Sequence, residues 1–251
     1  MNNGFVKLEI ENKIATLTFY HPKSNSLPST LLSELTKHFN ELSGNNKVNV
    51  ILLKSEGEKT FCAGASFDEL IEVNNFEDGK KFFLGFANLV NAMRKCNKII
   101  VGRIHGKAVG GGVGLVAATD YAIASKNASL RLSELALGLG PFVVGPPIER
   151  KIGEEAFSNM ALDCKWRTAD WGKQHGFYTE VYETVEELDE NINEFVKTLS
   201  ERSPEALTDL KKIFWEGTEH WDKLLEQRAE NSGKLVLSDY TKNFITNFKN
   251  K

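Results

Sequence analysis

Gly110-Gly111-Gly112-Val113-Gly114, continuing as Leu115-Val116-Ala117-Ala118-Thr119-Asp120, decides how this chain is read. The run follows an apolar stretch, Ile99 to Ile104, through the short link His105-Gly106-Lys107-Ala108-Val109. A strand therefore feeds a glycine-rich turn that opens a small-residue helix. Glycines lack Cβ atoms and let a ligand approach the backbone N–H groups. The first N–H groups of a helix have no internal partners and carry partial positive charge. Such a turn suits a developing oxyanion. The same glycines also permit close packing against a neighbouring segment, and the run by itself leaves both readings open.

A second segment has the same character. Phe61-Cys62-Ala63-Gly64-Ala65-Ser66 follows the apolar run Val48 to Leu53 and precedes a helical pattern. Two small-residue strand exits can each offer one N–H to a single oxygen; the alternative is an ordinary tight turn.

The bulk numbers narrow the function classes. The chain has 251 residues, enough for one large domain or a domain with an appendage. Hydrophobic residues make up 41% and charged residues 26%, ordinary values for a globular protein. A net charge of −3 supplies no whole-chain attraction to nucleic acid or anionic membrane, so neither is expected as a partner. Cys62, Cys96 and Cys164 are widely spaced and form no metal-ligand pattern, so no metal is expected. Met1-Asn2-Asn3-Gly4 has neither the basic region nor the apolar core of a signal peptide, and no apolar stretch nears the roughly 20 residues of a membrane span. A reducing, cytoplasmic setting is the expectation.

Along the chain, Phe5 to Ile10 and Ile14 to Phe19 read as a hairpin, and Leu31, Leu32, Leu35, Phe39 and Leu42 as a helical stripe. Val48 to Lys54 and Lys98 to Ile104 read as buried strands, with the stripe Phe82, Phe83, Phe86, Val90, Met93 between them. Short strands are expected at 120–124 and 130–132, helices at 153–163 and 168–175, and a strand at 177–182. Beyond about 184 only helical patterns remain. Strands alternating with helices predict an α/β fold with parallel segments. The expected division is an α/β core over 1–195 and a helical region over 196–251.

With both turns placed, the chain resembles the crotonase superfamily, the enoyl-CoA hydratases and isomerases. The motifs that carry this are His21-Pro22-Lys23-Ser24-Asn25-Ser26-Leu27, Phe61-Cys62-Ala63-Gly64-Ala65, His105 to Gly112, and Ser133-Glu134-Leu135-Ala136-Leu137-Gly138, in the family's order. The resemblance implies a spiral of ββα units with a C-terminal helical region that serves oligomerisation and covers the active site. It also implies an acyl-CoA thioester substrate, no separate cofactor because coenzyme A belongs to the substrate, and homotrimers or dimers of trimers. By the same resemblance, the Ala65 and Gly111 N–H groups form the oxyanion hole, about 3 Å from one oxygen, and Glu134 transfers the proton. Lys23, Asn25, Ala63, Gly64, Gly110 and Phe142 are then expected to contact the substrate or its CoA moiety.

One departure bears on the reaction. Hydratases of this family carry a first glutamate on the helix after the triple glycine, where this chain has Gly114. A double-bond isomerase needs one base that removes a proton from C2 and returns it at C4, a task within reach of Glu134 alone. Its pKa is expected to rise in an apolar setting supplied by Leu135, Leu137, Leu139, Phe142 and Val143. Isomerisation is therefore favoured. The alternatives are a hydratase or dehydratase for a branched, methylglutaconyl-type acyl-CoA using Glu134 with Glu149 as second acid, a thioester decarboxylase, and an inactive CoA-binding scaffold. Glu149, beside Arg150 and Lys151, is otherwise a surface ion-pair residue.

Overall fold

The computed structural model describes residues 4–249, so the last two residues of the expected helical region lie outside the described residues. Strands β1 (Phe5–Glu11) and β2 (Ile14–Tyr20) pair antiparallel across Asn12 and Lys13. Both of these residues have positive φ, the backbone twist that a two-residue hairpin needs. Helix α1 (Ser29–Ser43) follows and buries Leu31, Leu32, Leu35, Phe39 and Leu42.

Three rounds of strand, strand and helix come next. The first is β3 (Val50–Ser55), β4 (Thr60–Cys62), α2 (Phe67–Ile71) and α3 (Phe76–Lys95). The second is β5 (Ile99–Ile104), β6 (Lys107–Val109) and α4 (Gly111–Ala117). The third is β7 (Tyr121–Ser125), β8 (Ser129–Arg131), a 3-10 turn at Leu135–Leu137 and α5 (Gly145–Asp163). The chain then runs through β9 (Arg167–Thr168), α6 (Ala169–Gln174), β10 (Glu180–Tyr182), α7 (Val185–Ser200), α8 (Pro204–Phe214), α9 (Trp221–Leu235) and α10 (Asp239–Lys249).

Each round gives one strand to each of two sheets. Among the described residues the first sheet has the order β1-β2-β3-β5-β7-β10 and the second β4-β6-β8-β9. Parallel pairing of β3 with β5 and of β5 with β7 advances the spiral by one strand per round. The same step occurs in the second sheet, where β6 lies between parallel β4 and β8. The C-terminal ends of β4, β6 and β8 therefore emerge side by side, and the three motif segments begin there.

The apolar runs of β3 and β5 are buried on both faces, as strands covered on two sides must be. Leu17, Phe19, Phe39, Ile51, Leu53 and Phe61 belong to one core cluster. Val50, Leu52, Ile99, Val101 and Ile123 face the other way, onto Leu188, Ile192 and Val196 of α7. That helix runs across the expected division at residue 195 and is part of the core, so the helical region proper starts with α8. The helix expected over 153–163 is the second half of α5, which begins at Gly145 and breaks at Gly153 (φ 80°, ψ 162°). The strand expected from Phe177 is shorter, because the Phe177 and Tyr178 N–H groups both donate to Gly172 O at the end of α6.

Helix α9 crosses α3 where Gly79 meets Gly233: a Cβ on Gly79 would lie 2.9 Å from Gly233 O. Lys80 bridges Glu226 and Glu230 at 2.9 and 2.8 Å beside this crossing. Helix α8 is pinned by one buried ion pair. Lys211 Nζ donates to Asp120 Oδ2 at 2.8 Å, and the two side chains are 2% and 1% exposed. Asp120 also accepts from Trp215 Nε1 and from the Ile100 N–H, both at 2.7 Å. Removing one partner strands a buried charge. Lys211→Met is expected to lose about 3–5 kcal/mol of stability, read from urea unfolding. The double variant Lys211→Met/Asp120→Asn should recover part of that loss.

Candidate active site

The first turn leaves β4 at Cys62. Gly64 has φ +88°, a conformation that suits glycine, and its N–H donates to Cys62 Sγ (3.4 Å). The Ala63 N–H donates to Ser24 O, Gly64 O accepts from the Leu27 N–H, and the Ser66 N–H donates to Leu27 O. Ser66 then caps α2, its Oγ accepting from the Glu69 N–H (3.3 Å). No hydrogen bond among the described residues takes the Ala65 N–H.

The second turn leaves β6 at Val109. Gly110 has φ +53° and ψ −118°, and Gly111 opens α4 with an N–H that likewise has no partner among the described residues. The two turns touch. A Cβ on Gly112 would lie 2.2 Å from Cys62 O, and one on Gly64 would lie 3.2 Å from Gly111 N. The triple glycine thus serves close packing at Gly112 and leaves the N–H at Gly111 open.

The third segment leaves β8 at Arg131 and sets Glu134 against the second turn. A Cβ on Gly110 would lie 3.1 Å from Glu134 Oε1. Glu134 Oε2 is shut off from solvent and has no hydrogen-bond partner among the described residues. Burial pushes the carboxyl up from the ordinary 4.5 to about 7, although the N–H groups of Glu134 and Ser133 pull the other way.

All three segments line one cavity of about 390 Å³. Ala63, Gly64, Ala65, Gly110, Gly111, Glu134 and Phe142 are on its wall, and Glu134 is the one titratable side chain among its lining residues. Leu137, Leu139, Phe142 and Val143 line it as well, whereas Leu135 points away and is 44% exposed. Leu135 therefore does not supply the apolar setting expected of it; the 3-10 turn rotates it to the surface. Phe82, Phe83, Phe86 and Val144 line the cavity although their sequence pattern indicates only helix core or nothing. Ser232 of α9 and Phe244 of α10 complete the wall, so the C-terminal helices cover the site of their own chain.

Three of the expected site residues are elsewhere. Lys23 is exposed on its loop, outside the cavity wall, and pairs with Asp68. Asn25 is buried, its amide is engaged inside the protein, and it is not on the cavity wall. Glu149 is exposed in the first turns of α5 and is not on the cavity wall. Where a side chain at Gly114 would project, Val144 already stands: a Cβ there would lie 2.4 Å from Val144 Cβ and Cγ1. His105 is buried, and desolvation holds it neutral with its pKa down at about 4. Among the described residues no group of three or more His, Cys, Asp or Glu side chains is placed to hold a metal, and no helix is long and apolar enough to cross a membrane.

The sequence model of the enoyl-CoA hydratase/isomerase family matches residues 9–251. The chain belongs to this family. It is 28% identical over 254 aligned positions to the short-chain-enoyl-CoA hydratase of Clostridium acetobutylicum, covering 100% of this chain and 96% of that protein. It is 25% identical over 231 positions to the peroxisomal Delta(3,5)-Delta(2,4)-dienoyl-CoA isomerase of Arabidopsis thaliana, covering 86% of this chain and 82% of the relative. The crystal structure of an enoyl-CoA hydratase from Mycobacterium avium superposes with a TM-score of 0.87 at 26% identity, covering 98% of this chain and 96% of that one. Family members with both hydratase and isomerase names are thus similar to this chain, and the crotonase-type spiral is the shared architecture.

The pKa of Glu134 sets a pH dependence. A carboxylate works as a base only when deprotonated; with Glu134 in that role, kcat/KM is expected to fall about tenfold per pH unit below about pH 7 and to level off above it. For stability the sign is opposite. The folded state holds the proton between 4.5 and about 7, where the unfolded chain has released it. Glu134 therefore contributes stability at low pH that is lost as pH rises through that window. Unfolding curves of the wild type and Glu134→Gln should converge toward pH 4.5 and separate toward pH 7, with the wild type the weaker.

Proposed function

We propose that the protein shifts the double bond of an enoyl-CoA thioester, with Glu134 as the sole proton shuttle. The thioester oxygen would sit between the Ala65 and Gly111 N–H groups. Glu134 takes a proton from C2 of a 3-enoyl thioester, and the electron pair spreads through the conjugated system onto the carbonyl oxygen. The two backbone donors stabilise that charge without reorganising, an effect worth about 3 kcal/mol per donor. The protonated Glu134 then gives the proton back at C4, leaving the 2-enoyl thioester. Nothing beyond the CoA substrate is consumed, and no separate cofactor enters. One observation carries this reading: Glu134 is the one titratable side chain among the described residues that line the cavity. Val144, in the space beside Gly114, agrees with it. The oligomer in this reading is a homotrimer or a dimer of trimers, for which the exposed Leu210, Ile213 and Phe214 of α8 offer apolar surface.

The name of the Clostridium relative, a short-chain-enoyl-CoA hydratase, supports a second reading, hydration of a 2-enoyl-CoA; the branched form of that reading is hydration of a methylglutaconyl-type enoyl-CoA, or the reverse dehydration of its 3-hydroxyacyl-CoA. With Glu149 as second acid it would need that exposed side chain brought to the cavity.

Purified protein assayed with 3-enoyl-CoA, crotonyl-CoA and methylglutaconyl-CoA, with products identified by mass spectrometry, separates the two. Glu134→Gln should lower turnover at least about a hundredfold, the scale of general-base catalysis, with acyl-CoA binding little changed. Glu149→Gln should stay within a few-fold of wild type for the isomerase and fall nearly as far as Glu134→Gln for a two-acid hydratase.

A further inference from the structure

We infer that Asn25 is a positioning residue that aims the Ala65 N–H into the cavity; this rests on the reading of that N–H as an oxyanion donor. The peptide unit is planar and trans, so the N–H of Ala65 points opposite to the carbonyl of Gly64. Gly64 O accepts from the Leu27 N–H at 2.7 Å. Leu27 therefore sets the direction of the Ala65 N–H, although it does not touch that atom. Two more backbone bonds, from Ala63 N–H to Ser24 O at 3.2 Å and from Ser66 N–H to Leu27 O at 3.3 Å, lay the loop along the turn like a splint. From Ala63 to Ser66, every N–H except that of Ala65 is bonded inside the protein.

Asn25 holds the splint. It is 3% exposed and has φ +54°, a left-handed conformation that Asn tolerates better than most residues. Its Nδ2 donates to Glu56 O at 2.7 Å and to Thr60 O at 2.8 Å. Its Oδ1 accepts from the His21 N–H at 2.9 Å. Glu56 follows β3, and Thr60 opens β4, the strand that delivers the turn. One amide thus ties both ends of the β3–β4 connection to the loop that grips Gly64 O. His21 Nδ1 and Ser26 Oγ, 3.0 Å apart, brace the same loop from within. A change at Asn25 should reach the reaction through Leu27 and the Gly64–Ala65 peptide, with the substrate-lining side chains left in place.

The test uses Asn25→Gly, which removes the amide while accepting the positive φ, and Asn25→Asp, which keeps the acceptor for His21 but turns both donors into a carboxylate facing carbonyls. Three readouts are taken on the whole protein: steady-state kinetics, normalised to the folded fraction from circular dichroism; acyl-CoA affinity; and the infrared stretch of a 13C-labelled thioester carbonyl in bound acyl-CoA. Lys211→Met serves as a destabilised control away from the turn. The expected result is a fall in kcat of about 10- to 100-fold in the Asn25 variants, below the roughly 100- to 1000-fold cost of losing an oxyanion donor outright because the N–H is misaimed rather than removed, with KM within about threefold. The carbonyl band, shifted to lower wavenumber on binding to wild type, should move back part of the way in these variants and stay put in Lys211→Met. If kcat per folded molecule and the carbonyl band both match wild type in Asn25→Gly, the inference is overturned. A loss of kcat with an unmoved band overturns it equally, since Asn25 would then be structural only. If the wild-type band does not shift on binding, the oxyanion reading itself fails, and this inference with it.

Discussion

The contact between Gly112 and the Cys62 carbonyl sets the spacing on which the candidate site depends. A Cβ on Gly112 would lie 2.2 Å from that oxygen, so there is no room for even a methyl group between the second turn and the strand that carries the first. A larger residue would push β4 and β6 apart at the point where Ala65 and Gly111 emerge. The positive φ of Gly64 and Gly110 lets each chain turn sharply at that contact and leave one N–H open. Two donors without a partner among the described residues then lie on one cavity wall, where most backbone N–H groups of a folded chain are paired.

Around that contact the cavity is apolar and holds a single titratable group. The same burial that raises Glu134 toward neutrality also makes its carboxylate a more willing proton acceptor once it is ionised. Val144 matters in the same setting. By filling the space beside Gly114 it keeps hydrocarbon where a second polar group or a held water would otherwise stand.

The last helices connect stability with the site. Helix α9 reaches α3 through the Gly79–Gly233 crossing, and α10 packs its Tyr240 and Thr241 against Gly138, four residues after Glu134. Ser232 and Phe244 thereby close the cavity from above. The buried Asp120–Lys211 pair anchors α8 at the start of β7, beside β5.

The sequence by itself determined the layered α/β pattern, the buried strands β3 and β5, the long helices, and the three segments that meet in the cavity. Apolar periodicity shows in long elements and a glycine run marks a strand exit, so both are local signals, although the run alone does not separate close packing from an open N–H. What it left hidden was short or distant. Strands β4 and β6 have three residues each, too few for any period to show, and they exist because the second sheet pairs them. Only the tertiary structure turned Leu135 outward, moved Glu149 off the cavity wall and brought Val144 against Gly114. It also took Asn25 from an expected ligand contact to a buried support, because the partners of its amide, Glu56 and Thr60, lie 31 and 35 residues further along the chain. Local sequence sets what a segment can do; which side chains reach the cavity depends on partners far away in the chain, and those are chosen by packing.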